Sequence, residues 1–201
     1  MTAQPDPLLA EALKTFADLL AEAERAGEPE PTAMNLATVS ADQRVHSRIV
    51  LLKGVDVRGF RFFTNYQSAK GEQLAAHPQA ALCVHWKRLR EQVQVRVEGT
   101  VGKLSADESD AYFASRARGS QIGAWASLQS QDLPDRAAFE ARVAAVEQRF
   151  AGVKVTRPPH WGGYLLSPAM IEFWYGAGFR LHERMRYRSD AGRWSKGLLY
   201  P

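Results

Sequence analysis

Residues 93–98 read Val93-Gln94-Val95-Arg96-Val97-Glu98. Three valines alternate with polar side chains, and a period of two places the valines on one face and the polar groups on the other. This is a half-buried strand, and similar texture extends from it in both directions. Upstream, residues 80–86, 60–65, 45–53 and 34–40 read as short strands, with a turn at 56–59. The stretch 45–53 is so continuously apolar that burial on both faces is expected. Downstream, 161–174 and 184–200 return to strand texture, after a linker at 157–160.

Helices interrupt this series without strict strand–helix alternation. Leu9, Leu13, Phe16 and Leu20 recur at helical spacing within 7–26, which Gly27, Pro29 and Pro31 end. Ser68 is a plausible N-cap for a helix reaching His77, stopped by Pro78. Ser105 with Glu108 forms a capping box opening a helix through Ser115. Phe139, Val143, Val146 and Phe150 mark another, whereas the glycine- and serine-punctuated residues 118–131 read as a loop. The order predicts a mainly β protein, an antiparallel barrel with peripheral helices, and not a doubly wound parallel sheet. Residues 1–30 form an N-terminal helix and acidic arm, and 31–201 a single domain.

The 201 residues are 45% hydrophobic and 24% charged, ordinary for a globular protein and unlike a disordered chain or a coiled-coil rod. The longest apolar runs, such as 49–52, are far too short to span a bilayer. Met1 to Asp6 show neither a basic nor an apolar stretch, so no secretory signal is read there. Cys83 is the only cysteine; it excludes an internal disulfide, fits a reducing cytoplasm and reads as a core thiol. Residues 1–30 hold seven acidic side chains against Lys14 and Arg25, so the remainder carries +9 within a total of +4. A basic body is compatible with nucleic acid, an anionic membrane or phosphorylated small molecules. The lysines and arginines are dispersed instead of forming a stripe, which weighs against nucleic acid.

Four segments carry more polar chemistry than a scaffold needs. Arg48 and Lys53 bracket the apolar Ile49-Val50-Leu51-Leu52, with Arg48 on the face of Val50 and Leu52 and Lys53 on the other. They are either strand-end cations reaching solvent or contacts to a phosphate or ring. Phe63-Thr64-Asn65 followed by Ser68-Ala69-Lys70 brings hydroxyls, a helix start and a lysine together, as either an anion site or an ordinary capped helix. Tyr112 and Arg116 share a helix face, and Arg116, Arg118 and Ser120 offer donors suited to a phosphate, or else a solvated surface. Finally, Glu172-Phe173-Trp174 precedes Arg180-Leu181-His182-Glu183-Arg184, where His182 is either a proton-exchanging group or an unremarkable histidine. No GxGxxG, phosphate-binding loop, GxSxG elbow or HExxH spacing occurs, and the five histidines form no short metal-ligand pattern.

Taken in series, these segments resemble the pyridoxamine 5′-phosphate oxidase family. The likeness runs from about Ala33 to Pro201 through RIVLLKG (48–54), FFTN (62–65), SDAYFASRARGSQIGAWASLQS (109–130), PPHWGGY (158–164), IEFWYG (171–176), RLHERMRY (180–187) and the closing GLLYP. The resemblance implies an FMN-binding split β-barrel and a cytoplasmic homodimer whose subunits share active sites. It implies FMN contacts from the 48–53 strand, Phe63, Thr64, Lys70, Gln92, Gln129, Ser130, Trp174 and Arg184. It further implies that Lys53, Tyr112, Arg116, Ser120, Arg180, Leu181 and His182 hold pyridoxamine or pyridoxine 5′-phosphate, with Arg180 and His182 at the reactive carbon. Oxygen would be the electron acceptor, with no metal, nucleic acid or membrane involved. Alternatives on the same barrel are an oxidase of another ring, as in the phenazine-pathway relatives, and a non-catalytic binder of FMN or pyridoxal phosphate. Two positions and one segment depart from the family pattern: Ala69 replaces a usual arginine, Ala117 a usual proline, and the first 30 residues are acidic where a basic arm is frequent.

Overall fold

The computed structural model describes residues 6–201. The sequence reading of Met1 to Pro5 therefore lies outside the described residues. Helix α1 (Pro7–Arg25) begins where the Asp6 carboxylate accepts from the Leu8 N–H at 2.9 Å. It buries Ala12, Leu13, Phe16, Leu19 and Ala23, and these join the same core as the sheet. No helix among the described residues is long and apolar enough to cross a membrane.

Nine strands form one antiparallel sheet: β1 (Ala33–Val39), β2 (Val45–Leu51), β3 (Gly54–Asp56), β4 (Gly59–Asn65), β5 (Gln79–Trp86), β6 (Val93–Lys103), β7 (Trp161–Tyr175), β8 (Glu183–Asp190) and β9 (Arg193–Leu199). Their order is β2-β1-β5-β6-β7-β4-β3, with β8 on β7 and β9 on β8. The 15-residue β7 is the spine. Its first half pairs with β4 and its second half with β8, while β6 runs along its other edge. The sheet therefore forks, and curls around one core. Val93, Val95 and Val97 point into that core beside Phe60, Phe62, Trp86, Ile171 and Phe173, as the alternation predicted. A bulge between Glu98 and Gly99 bends β6. Gly99 is required there, because a Cβ would lie 2.1 Å from the Ser167 carbonyl oxygen.

Helices α2 (Ala69–Ala76), α3 (Ala106–Ser115), α4 (Arg118–Ala126) and α5 (Arg136–Arg149) flank the sheet. Ser68 caps α2, and both bonds of the Ser105–Glu108 capping box are present in α3. A second cluster, Phe113, Ile122, Phe150, Val155 and Trp161, ties α3, α4 and α5 to the start of β7.

Three sequence readings need correction. Strand β2 is not buried on both faces: it is an edge strand, and Val45, Ile49 and Leu51 are 74%, 63% and 39% exposed. Residues 118–126 are helix, not loop, held by long-range bonds instead of a cap. Ala117 at the N-cap has no side-chain group to cap the helix, but Arg118 donates to the Phe150 and Val153 carbonyls and Gln121 to that of Phe113. Cys83 is only half-buried; it shares the outward face of β5 with Ala81 and His85, opposite the buried Leu82 and Val84.

Candidate active site

A cavity of about 460 Å³ opens between β2, β4, the start of α2 and the α3–α4 pair. Ile49, Val50, Leu51, Lys53, Phe63, Thr64, Lys70, Tyr112, Arg116, Ser120 and Gln129 all line it. Three separate segments of the sequence reading thus converge on one space.

At one end stands Lys70, on the first turn of α2 and only 9% exposed. Its ammonium donates to Thr64 Oγ1 at 3.1 Å, Ser68 Oγ at 3.1 Å and Gln129 Oε1 at 2.8 Å. All three are neutral acceptors. Burial, reinforced by the nearby Arg48 cation, pushes the Lys70 pKa down to about 8. Behind it, the Arg48 guanidinium donates to the Leu36 carbonyl, Thr38 Oγ1 and Gln73 Oε1, again neutral. Burial lowers the Arg48 pKa as well.

At the other end, Arg116 lies over the Trp161 ring, 4.6 Å from its centre. Its Nη1 is buried and has no hydrogen-bond partner. Burial lowers its pKa and raises that of Tyr112 beside it. An aromatic wall joins the two ends: Phe63 and Tyr112 stack with ring centres 3.8 Å apart and planes 18° apart. Trp161 lies nearly parallel to Tyr112, at 5°.

Among the described residues no carboxylate forms an ion pair with Arg48, Lys53, Lys70 or Arg116. Buried cations normally have counter-charges, because desolvating them alone is costly. Two poorly solvated cationic ends joined by a flat apolar wall fit one or two ligands with anionic tails and planar rings. That donor set fits FMN and a phosphorylated pyridine.

The other predicted residues lie elsewhere in the chain. Leu52 points into the core, and Ser130 is exposed at φ 74° after Gln129. Gln92 forms a 3.0 Å side-chain hydrogen bond with His85. Trp174 and His182 pack with ring centres 4.4 Å apart. Arg180 and Leu181 are exposed in the turn before β8. Arg184 grips the buried Glu172 at 2.8 Å and lines a different, larger cavity of about 800 Å³. The sequence reading missed Gln73, which receives both Arg48 and Thr38, and the role of Glu172 as the anchor of Arg184. Gln73 falls three residues after Lys70, on the same side of α2, and that spacing is its only sequence signal.

A forked antiparallel sheet with helices packed on its flank defines the split-barrel class. Residues 20–150 match the family model for pyridoxamine 5′-phosphate oxidase, and residues 161–201 that for the pyridoxine 5′-phosphate oxidase C-terminal dimerisation region. A pyridoxine/pyridoxamine 5′-phosphate oxidase of Xanthomonas euvesicatoria is 59% identical over 196 residues, covering 96% of this chain and 98% of its own. A protein of the same name from Caulobacter vibrioides is 54% identical over 201 residues, covering 99% and 90%. Among solved structures, PhzG from Burkholderia lata in complex with tetrahydrophenazine-1-carboxylic acid superposes with a TM-score of 0.88 at 32% identity, covering 100% of this chain and 95% of that one. A pyridoxamine 5′-phosphate oxidase-related, FMN-binding protein from Nostoc punctiforme shares the fold, with a TM-score of 0.67 at 21% identity and full coverage of both chains. The chain belongs to the pyridoxamine 5′-phosphate oxidase family.

Proposed function

We propose that this protein oxidises pyridoxamine 5′-phosphate and pyridoxine 5′-phosphate to pyridoxal 5′-phosphate, using FMN and molecular oxygen. The observation that carries the reading is the pair of cationic cavity ends, Lys70 and Arg116, neither matched by a carboxylate. FMN, when bound, would supply a two-electron acceptor that oxygen regenerates with release of hydrogen peroxide; the substrate's C4′ carbon would give up a hydride and its amine or hydroxyl a proton, and with the amine substrate water would then release ammonia to leave the aldehyde. The chain's own side chains do the rest. Lys70 and Thr64, with Arg48 behind, hold the cofactor's phosphate tail; Ile49, Val50, Leu51, Phe63, Gln129 and Ser130 shape its slot. Arg116, Ser120 and Tyr112 hold the substrate's phosphate, and Lys53 stands between the two ligands. Such charge-assisted bonds suit phosphate oxygens, and the aromatic wall suits planar rings.

The remaining residues, Gln92, Trp174, Arg180, Leu181, His182 and Arg184, come from the second subunit of a homodimer. The exposed apolar edge of β2 and the match to a dimerisation region support that arrangement. Arg180 would orient the substrate and stabilise negative charge developing at its reacting end. In this reading the enzyme works in the cytoplasm on small molecules, without nucleic acid or membrane partners.

The likeness to PhzG favours a second reading, oxidation of a different, phenazine-type ring. An absorbance spectrum of the purified protein separates them. A yellow protein that bleaches anaerobically with pyridoxamine 5′-phosphate, and forms peroxide in air, supports the main reading. Bleaching only by an unphosphorylated ring supports the second, and a yellow protein that never turns over is a store for its ligand.

A further inference from the structure

The turn between β7 and β8 fixes one histidine in one state. The backbone N–H of Ala177 donates to His182 Nδ1 at 3.2 Å. A backbone N–H cannot accept, so Nδ1 carries no proton while this bond stands, and the ring's single proton is on Nε2. A doubly protonated ring would set two donors against each other. Turning the ring over would put a carbon against the Ala177 N–H. Trp174, 4.4 Å away and tilted by 44°, walls one face of the ring.

The backbone around this bond is specialised. Phe179 and Arg180 both adopt left-handed φ values, 55° and 62°, which non-glycine residues rarely do. The Leu181 N–H closes the turn onto the Gly178 carbonyl at 3.2 Å. The titratable groups beside it in sequence are Arg180, Glu183 and Arg184, and Tyr175 lies opposite Glu183 across the β7–β8 ladder. Arg184 is already committed to Glu172. No carboxylate among the described residues pairs with His182 to stabilise a positive ring.

We infer that His182 serves the substrate as a fixed neutral hydrogen-bond donor through Nε2, and not as the base that takes its proton. The Ala177 N–H and Trp174 are the positioning groups. One nitrogen is occupied as an acceptor and the other carries the proton, so neither is free to receive one. What His182 touches rests on the oxidase reading; its tautomer does not.

The test has two arms on the full-length dimer. Long-range nitrogen–proton correlation spectra of histidine-labelled protein, assigned with His182→Gln, read the tautomer directly. The expected result at pH 7 is a bare Nδ1 and a protonated Nε2 on His182, with the preference weakened in Trp174→Leu. A proton on Nδ1, or a doubly protonated ring, overturns the inference. The second arm compares His182→Gln, whose amide reaches the Nε2 position, with His182→Asn, whose amide reaches only Nδ1. A donor role predicts that Gln keeps kcat within about tenfold with an unchanged pH profile, whereas Asn falls further. A base role predicts that both fall by about a hundredfold or more and lose the same pH limb, which would also overturn the inference. If the wild type never oxidises pyridoxamine 5′-phosphate, the oxidase reading fails while the spectra still decide the tautomer.

Discussion

Replacing Lys70 by methionine should make the empty protein more stable and the cofactor weaker. The side chain keeps a similar length but loses its charge. Burial lowers the Lys70 pKa from 10.5 to about 8, and at about 1.4 kcal/mol per unit this is about 3 kcal/mol held against folding while the lysine is charged. Against this, Thr64, Ser68 and Gln129 lose a donor. Thr64 already donates to Gln129 and Ser68 to the Asn65 carbonyl, so that cost is about 1 kcal/mol and the apoprotein gains about 1–2 kcal/mol. Loss of one charge-assisted bond to a phosphate should weaken FMN by about 1.5–3 kcal/mol, roughly 10- to 100-fold. The pH dependence has a definite sign. Between pH 8 and 10.5 the unfolded chain binds more protons at this lysine than the folded chain does, so wild-type stability rises with pH there. The advantage of Lys70→Met should therefore be full at pH 7 and gone by about pH 10.5. Urea unfolding of apoprotein at both pH values, with flavin fluorescence titration, measures all three quantities. A variant that is less stable at pH 7 and binds FMN as tightly as wild type would show that Lys70 is a structural residue and not part of an anion site.

Other changes test the remaining parts. Arg116→Lys loses the planar donor set over Trp161, so KM for pyridoxamine 5′-phosphate should rise about 10- to 100-fold with kcat little changed; a dephosphorylated substrate should show no such penalty. Glu172→Gln leaves Arg184 and Arg96 without their buried counter-charge and should cost about 3 kcal/mol in urea unfolding. A loss below about 0.5 kcal/mol would mean the pair is solvated in the dimer. Ile49→Asp puts a charge on the exposed apolar edge of β2 and should shift sedimentation from dimer towards monomer. An unchanged dimer would move the interface elsewhere.

Much of the fold could be read from local pattern. The valine alternation of β6, the Ser105–Glu108 box and the Ser68 cap are short-range signals, and each has its physical cause within a few residues. Helix α4 has no such signal, since Gly119 and Gly123 lower its propensity and its bonds come from the Phe113 and Phe150 carbonyls. The apolar run of β2 announces burial but not by what: an edge strand covered by a second subunit and a central strand look alike in sequence. The face of Cys83 depended on the register of β5, which one residue of slip reverses. In the site, the cations themselves were visible. Their lack of counter-charges was not, because it depends on Gln73, Gln129 and Trp161 arriving from distant positions. The Arg184–Glu172 pair is likewise set by the β7–β8 register and not by any motif.

Mixed dimers decide whether each site is completed across two subunits. One chain would carry Arg116→Ala and the other Arg180→Ala, with different tags to isolate the hybrid. If the two arginines serve a site from opposite subunits, the hybrid has one intact site and one doubly altered site, and should keep about half the wild-type rate. If each chain builds its own site, both sites carry one defect, and the hybrid should be as slow as the single-variant dimers.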